Sequence, residues 1–465
     1  MTVTPSATAF GSAHDLLCGY AAGTLSPVEV TSEALDRIDR TNADTGAFVA
    51  VDREGALEAA RTAESRWRTW RGEKPLGDDW QWLPTWGVPV SVKDTIEQKG
   101  LPTTYGSVPF ADNHQPDALV VQRLRRAGCT LLGKTSTSEF ALSTITATRL
   151  APPARNPWNL ERTAGGSSGG ASAAAALGIG AFALATDSAG SIRLPAAYCG
   201  VYGLKPTLGT VPIRQAWRAS PVRSHIGPIA ATVADLLYAW RVLTEDRTPV
   251  MPLDDEQLRV GLVVGDPDHR TVIDEAVAIL TATGRCVLAR DAVTLPPLPG
   301  TTTRDGDWVF AGDHLAAAER LLPDFWKRYG HELSGYARGI YDAGRRVPAW
   351  EYRAALDGME RYRDRVQEVF DSVDILLTST TEAPPALTET TDPDDLGPRY
   401  PLLSAWNYAG NPALVVPLAP DRDGTPRAVQ LVGRPGADRL LLRLVRTLAQ
   451  VAGDGIRAAT QPVEV

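Results

Sequence analysis

The chain has 465 residues, 43% of them hydrophobic, enough for a large buried core. Its 55 acidic against 47 basic residues give a formal charge of −8, which leaves no basic footprint for nucleic acid. Cys18, Cys129, Cys199 and Cys286 show neither paired nor metal-like spacing, so a reduced, cytoplasmic setting without a metal is expected.

The opening MTVTPSATAFGSAHD lacks a charged start and an apolar core, and no signal peptide is expected from it. Residues 12–22 and 26–41 read as two short helices, the second opened by Ser26-Pro27. A third helix over 53–70 carries Trp67 and Trp70, and Gly77 to Pro84 reads as a loop. Trp80, Trp82 and Trp86 gather there, where packing is a commoner use of tryptophan than flanking a substrate.

Strand-like runs follow at 87–93, 130–133, 181–186, 258–264, 373–378, 413–418 and 428–432. Helical patterns at 117–127, 232–243, 271–283, 350–370 and 438–451 lie between them. This alternation predicts an α/β fold with a mixed, mostly parallel twisted sheet covered by helices on both faces. The longest apolar run, near Ala173 to Ala185, is broken by glycine and shorter than the ~20 residues a membrane span needs.

The chain is organised around Gly165 to Arg193: GGSSGG, an alanine-rich run, then ATDSAGSIR. The small apolar segment from Ala171 to Ala185 suits a close-packed helix followed by a strand. A helix starting right after GGSSGG offers unsatisfied N–H groups to an oxygen acceptor. Asp187-Ser188-Ala189-Gly190-Ser191 is small enough for a tight turn whose amides converge on one point, the geometry of an oxyanion hole, with the Ser191 hydroxyl beside it.

Glycine- and serine-rich loops are usually connectors. Two other patterns fail on context. Gly165-x-Ser167-x-Gly169 fits a nucleophile elbow, but no strand-like run precedes it. A phosphate loop needs a Gly-Lys-Ser/Thr ending, which is missing.

GGSSGGASAAAA, TDSAGSIRLPAAYCG and GLKPT together resemble the amidase signature family of serine hydrolases. VPVSVKD, KGLPTTYGS, GKTSTSEFA, NPWN, IGPIAATVADL and the tail NYAGNPALVVPLAP with VQLVG agree, so the resemblance covers roughly residues 25–245 densely and 370–450 more loosely. It implies one domain with the amidase signature fold: an N-terminal helical region (1–80), a signature core (81–245), a variable substrate-side region (246–370) and a C-terminal part of the core (371–465).

The resemblance also implies roles: Lys93 the base, Ser167 a proton shuttle preceded by a cis peptide, Ser191 the nucleophile. The backbone amides of Ser188, Ala189, Gly190 and Ser191 would form the oxyanion hole, and Ala141, with Ser167, would contact substrate. The chemistry agrees. A lysine of ordinary pKa near 10 is a poor base at neutral pH, so Lys93 must lose its charge through burial or a cationic neighbour. Only six lysines, at 74, 93, 99, 134, 205 and 327, occur among the 47 basic residues, so one in this segment is unlike a default surface charge.

The family usually has glycine where Ala189 stands, and a methyl group there would narrow the acyl pocket or clash with a positive-φ backbone. Arg214, Arg218 and Arg223 occupy one loop expected near the substrate entrance, where exposed arginines usually solvate a surface. Histidines 14, 114, 225, 269, 314 and 331 have no ligand spacing, and Asp392, Asp394 and Asp395 around Pro393 have no metal-binding counterpart.

The expected function is an amidase acting on a linear carboxamide or N-acyl bond of a small molecule through an acyl-enzyme. It needs no cofactor, nucleic acid or membrane, and a homodimer is among its expected states. Alternatives are an amide-forming acyltransferase of the same fold, the A-type chain of a tRNA-dependent amidotransferase, and a catalytically silent binding or scaffold relative.

Overall fold

One eleven-stranded sheet runs through the molecule. The structure, a computed structural model, describes all residues except 1–9, 73–76, 215, 218–219, 264–269, 300–304, 382–384, 388–391, 393, 395–399 and 453–465. Its strands are β1 (Phe48–Val51), β2 (Pro89–Lys93), β3 (Thr130–Thr135), β4 (Arg155–Asn156), β5 (Asn159–Thr163), β6 (Phe182–Asp187), β7 (Tyr202–Lys205), β8 (His225–Ala230), β9 (Leu258–Leu262), β10 (Cys286–Leu288), β11 (Ile375–Ser379), β12 (Ala413–Leu418) and β13 (Arg427–Gly433). β4 and β5 form a separate ribbon; the sheet order is β1-β3-β2-β6-β8-β7-β12-β13-β11-β9-β10.

The α/β class, the single large domain and the mixed sheet are as the sequence predicts. The balance of directions is not. Of the ten pairings, β3-β2, β2-β6, β11-β9 and β9-β10 are parallel and six are antiparallel. Parallel neighbours arise where a helix supplies the crossover, as Leu119–Ala127 does between β2 and β3. β12 leads into β13, and β7 into β8, through connections with no helix among their described residues, so those pairs run antiparallel.

β7 and β8 were hidden from sequence reading by Gly203, Gly227 and Pro228, residues that weaken a strand pattern. The helices Arg193–Tyr198, Asp305–Leu321, Gly335–Gly344 and Pro401–Ala409 also lie outside the predicted set. The helices expected at 12–22 and 26–41 are present, with Ser26 Oγ accepting from Val28 N at 3.1 Å and Pro27 at the first helical position.

Both sheet faces are buried, which alternation along each strand makes possible. Phe182, Leu184, Leu414 and Val416 face one core with helices Ala13–Ala22, Val233–Thr244 and Asp438–Ala452. Ala183, Ala185 and Val415 face a second core with Pro27–Thr45 and the alanine-rich helix Gly169–Ala176. That last helix is buried along its whole length. It lies so close to neighbouring backbone that a Cβ on Gly170 would come within 2.4 Å of Ala47 O and Ser136 N, hence its run of small residues.

β2 and β6 run parallel, Val90 opposite Phe182 and Val92 opposite Leu184. Their carboxyl ends therefore bring Lys93 and Asp187 to the same edge of the sheet, the edge at which open α/β sheets bind ligands. Among the described residues no helix is long and apolar enough to cross a membrane.

Candidate active site

Lys93 closes β2 with its side chain fully buried. Its Nζ lies 2.8 Å from Ser167 Oγ, 2.8 Å from Ser168 Oγ and 2.9 Å from Thr186 Oγ1. Burial pushes its pKa well below the ordinary lysine value, against the opposing pull of the Asp187 carboxylate. Burial thus favours the uncharged amine over the ammonium. The peptide bond between Gly166 and Ser167 is cis.

Three hydroxyl oxygens surround Nζ, each within reach of a lysine N–H. Ser168 Oγ also donates its own hydrogen to Thr186 O at 3.3 Å, so it accepts from Lys93; Thr186 Oγ1 and Thr95 Oγ1 lie 3.4 Å apart, and either hydroxyl can donate to the other. Ser168 and Thr186 escaped sequence reading, although both lie in the quoted motifs, because nothing in spacing says which hydroxyls converge.

The turn that carries Ser191 is wound around a carboxylate. Asp187 Oδ1 accepts from Gly190 N at 2.7 Å and Oδ2 from Ile192 N at 3.1 Å. Arg193 Nε donates to Oδ2 at 3.0 Å, and Asn407 Nδ2 to Oδ1 at 2.8 Å. Arg193 in turn reaches Asn407 Oδ1 at 2.7 Å and Gln430 Oε1 at 3.1 Å. Burial alone would raise the Asp187 pKa, but the Arg193 charge and these bonds overcome it and hold the carboxyl well below its ordinary range. The tail motif around Asn407 thus locks the central one.

Ser191 is half-buried just ahead of helix Arg193–Tyr198, with Ser188 and Ala189 half-buried beside it. The Gly190 amide, expected among the oxyanion donors, is directed to Asp187 instead. Ala189 is not among the positive-φ residues, so its methyl group meets no backbone conflict; the positive φ, +115°, falls on Gly190, where a Cβ would meet Leu403 Cβ at 2.8 Å.

Ala141 is half-buried, and both it and Phe140 have positive φ, 59° and 52°. The strand of loop just after it packs on the glycines: Thr146 N donates to Gly165 O at 3.2 Å and Gly169 N to Thr146 Oγ1 at 3.0 Å.

Arg223 departs from the surface role expected of its loop. It is buried, its Nε donates to Ser188 O at 2.9 Å, and its guanidinium lies 4.7 Å from the Phe310 ring and 4.5 Å from the Tyr408 ring. Arg214 is exposed, and Arg218, His269, Pro393 and Asp395 lie outside the described residues. His225 bridges Asp187 O at 3.3 Å and Lys205 Nζ at 3.2 Å. Asp394 pairs with Arg149 at 3.1 Å. Among the described residues no cluster of histidine, cysteine or carboxylate side chains could hold a metal ion. Trp80 is buried and Trp86 half-buried, whereas Trp82 is 63% exposed.

Comparison with known proteins places this arrangement. The Amidase family profile matches residues 29–442. The A-type chain of the glutamyl-tRNA(Gln) amidotransferase from Chloroflexus aggregans is 34% identical, over 93% of this chain and 94% of that protein. A crystal structure of an amidase superposes with a TM-score of 0.80 at 27% identity, covering 94% of this chain and 99% of the other. A bacterial aryl acylamidase of the amidase signature enzymes shares the fold, with a TM-score of 0.83 at 24% identity over 97% and 99% of the two chains.

Proposed function

Because the chain belongs to the amidase signature family, we propose that it is an amidase that hydrolyses a carboxamide or N-acyl bond of a small molecule through Lys93, Ser167 and Ser191. The observation that carries this reading is the 2.8 Å contact between Lys93 Nζ and Ser167 Oγ, on a lysine whose pKa burial pushes well below the ordinary value.

In this reading Ser167 gives its proton to the Lys93 lone pair and takes one from Ser191 as the Ser191 oxygen bonds to the substrate carbonyl carbon. The resulting oxyanion is received by amides of the Ser188–Ser191 turn, with Ser188, Ala189 and Ser191 as the donors, since Asp187 holds that of Gly190. Collapse of the tetrahedral carbon breaks the C–N bond, and the relay run backwards protonates the leaving nitrogen. Water then repeats both steps on the acyl ester, releasing the acid and restoring Ser191.

Labelling with a serine-directed fluorophosphonate and mapping of the peptide tests the assignment. Adduct at Ser191, lost in Lys93→Ala, together with acid and amine released from a small amide, supports it; full turnover by Lys93→Ala overturns it.

The 34% identity to an amidotransferase component over nearly the whole chain favours a second reading, in which this chain works beside partner proteins in a complex. Hydrolysis by the purified chain alone supports the first reading. Activity seen only in a complex with partners supports the second.

A further inference from the structure

A cleft of about 610 Å³ opens at the opposite end of the sheet from Lys93. Its floor includes Trp86 and Ala127, which lie just before β2 and β3, where Gly87 N donates to Gly128 O at 2.8 Å. The helices Leu119–Ala127 and Val233–Thr244 both end there. Its volume falls within the roughly 300–1,000 Å³ of small-molecule sites.

Four arginines line it, Arg123, Arg126, Arg241 and Arg247, against one acid, Glu245. Glu245 is already shared, by Arg123 Nε at 3.0 Å and Arg126 Nη2 at 2.8 Å. Some of this charge serves backbone carbonyls: Arg123 bonds Leu243 O, near the end of helix Val233–Thr244, and Arg241 bonds Leu83 O in the loop before β2. The carboxyl ends of two helices offset about one positive charge in all. That leaves about two unbalanced, on a chain whose net charge is −8.

Capping does not account for Arg241 Nη1, a buried donor with no hydrogen-bond partner among the described residues, which is a costly arrangement unless something external accepts from it. Nor does it account for Arg247, which is exposed. Of the aromatic wall, Trp82 is open, 63% exposed, while Trp86 is half-buried, with Arg66 5.6 Å over its ring and a hydrogen bond from Trp67 Nε1 to its carbonyl at 3.1 Å.

We propose that this cleft is a binding site for a planar organic anion, an aromatic ring bearing a carboxylate or a phosphate. The ring lies on Trp82 and Trp86, and the anionic group meets Arg241 and Arg247, whose planar forks match either acid. The site does not depend on the chemistry at Ser191.

Isothermal titration of the intact protein with adenosine 5′-monophosphate, benzoate and inorganic phosphate tests this. At least one ring-bearing anion binds, and which one identifies the acidic group. Trp82→Ala weakens it by about tenfold through lost stacking, and Arg247→Gln by about tenfold through a lost charge pair. Arg241→Gln weakens it further; because Arg241 also holds the Leu83 carbonyl, the two exposed variants keep the test readable if that protein fails to fold. No binding of either ring-bearing anion at millimolar concentration overturns the proposal. So does binding that Trp82→Ala and Arg247→Gln both leave unchanged, or inorganic phosphate binding as tightly as the nucleotide.

Discussion

Asp187 and Arg193 form an ion pair with Nε 3.0 Å from Oδ2 and both side chains fully buried. Because the same carboxylate accepts the Gly190 and Ile192 amides, it sets the shape of the turn bearing Ser191. Asp187→Asn strands a buried guanidinium, and a cost of about 3–5 kcal/mol is expected, measured by urea unfolding. Turnover in the folded fraction falls about 100-fold as the turn relaxes. The Asp187 pKa lies below its unfolded value, so its contribution to stability is present above the ordinary carboxylate pKa and is lost only as pH falls through the lowered one. The difference in unfolding midpoint between wild type and Asp187→Asn therefore persists from neutral pH down to mildly acid pH.

The lowered Lys93 pKa, with Lys93 as the proposed base, predicts the shape of the pH profile. Activity rises with pH through the lowered lysine pKa and is flat above it, well before the ordinary lysine value of 10.5. Lys93→Arg cannot deprotonate and loses about 10²–10⁴-fold in kcat/KM. A profile whose rising limb stands near the ordinary lysine pKa would contradict the burial of this side chain.

Ser168 and Thr186 both bond Lys93 Nζ, the base of the proposed relay. Ser168→Ala and Thr186→Val each remove an acceptor of a lysine N–H, and a loss of about tenfold in kcat is expected for one hydrogen bond. A charged ammonium needs those acceptors more than a neutral amine does. The rising limb of the pH profile therefore moves to lower pH in both variants, a shift that a purely structural role would not produce.

Gly190 and Ala189 differ in what their positions permit. Gly190→Ala places a Cβ within 2.8 Å of Leu403 on a backbone of φ +115°, and costs about 1–3 kcal/mol with loss of turnover. Ala189→Gly restores the residue usual in the family at a position free of positive φ. It costs about 0.4–1 kcal/mol through greater freedom of the unfolded chain, with turnover of a good substrate changed by only a few fold. Thermal melts and steady-state rates of the two proteins check this.

Glu97 provides a stability prediction away from the relay. Burial raises its pKa to about 7 despite the hydrogen bond from Tyr105 OH, at 2.8 Å. Its folded pKa is above the unfolded one, so the protonated form favours folding below the unfolded pKa, and this contribution is lost as pH rises toward 7. Glu97→Gln removes that dependence. Its melting temperature relative to wild type is therefore higher at pH 8 than at pH 5, and a constant difference would refute the assignment.

Local pattern and chemistry made much of this protein legible. Strand-like apolar runs placed β2, β3, β6, β9, β11, β12 and β13 close to their observed positions, because strands buried on both faces must be apolar throughout. The strands carrying Gly203, Gly227 and Pro228 were invisible, since their regularity comes from neighbours that pair with them and not from their own residues. The antiparallel majority follows from those same pairings.

The family resemblance singled out Lys93, Ser167 and Ser191, and a neutral base there called for burial or a cationic neighbour; the structure shows burial. Only the tertiary structure could decide that Ser168 and Thr186 complete its cradle, and that Asp187 claims the Gly190 amide. It alone joined Asn407, 220 residues downstream of Asp187, to the turn bearing Ser191. Residue types and their order fix which functional groups exist. Which hydrogen each group gives, and to whom, depends on distances of 2.7 to 3.4 Å set by the packing of a whole sheet.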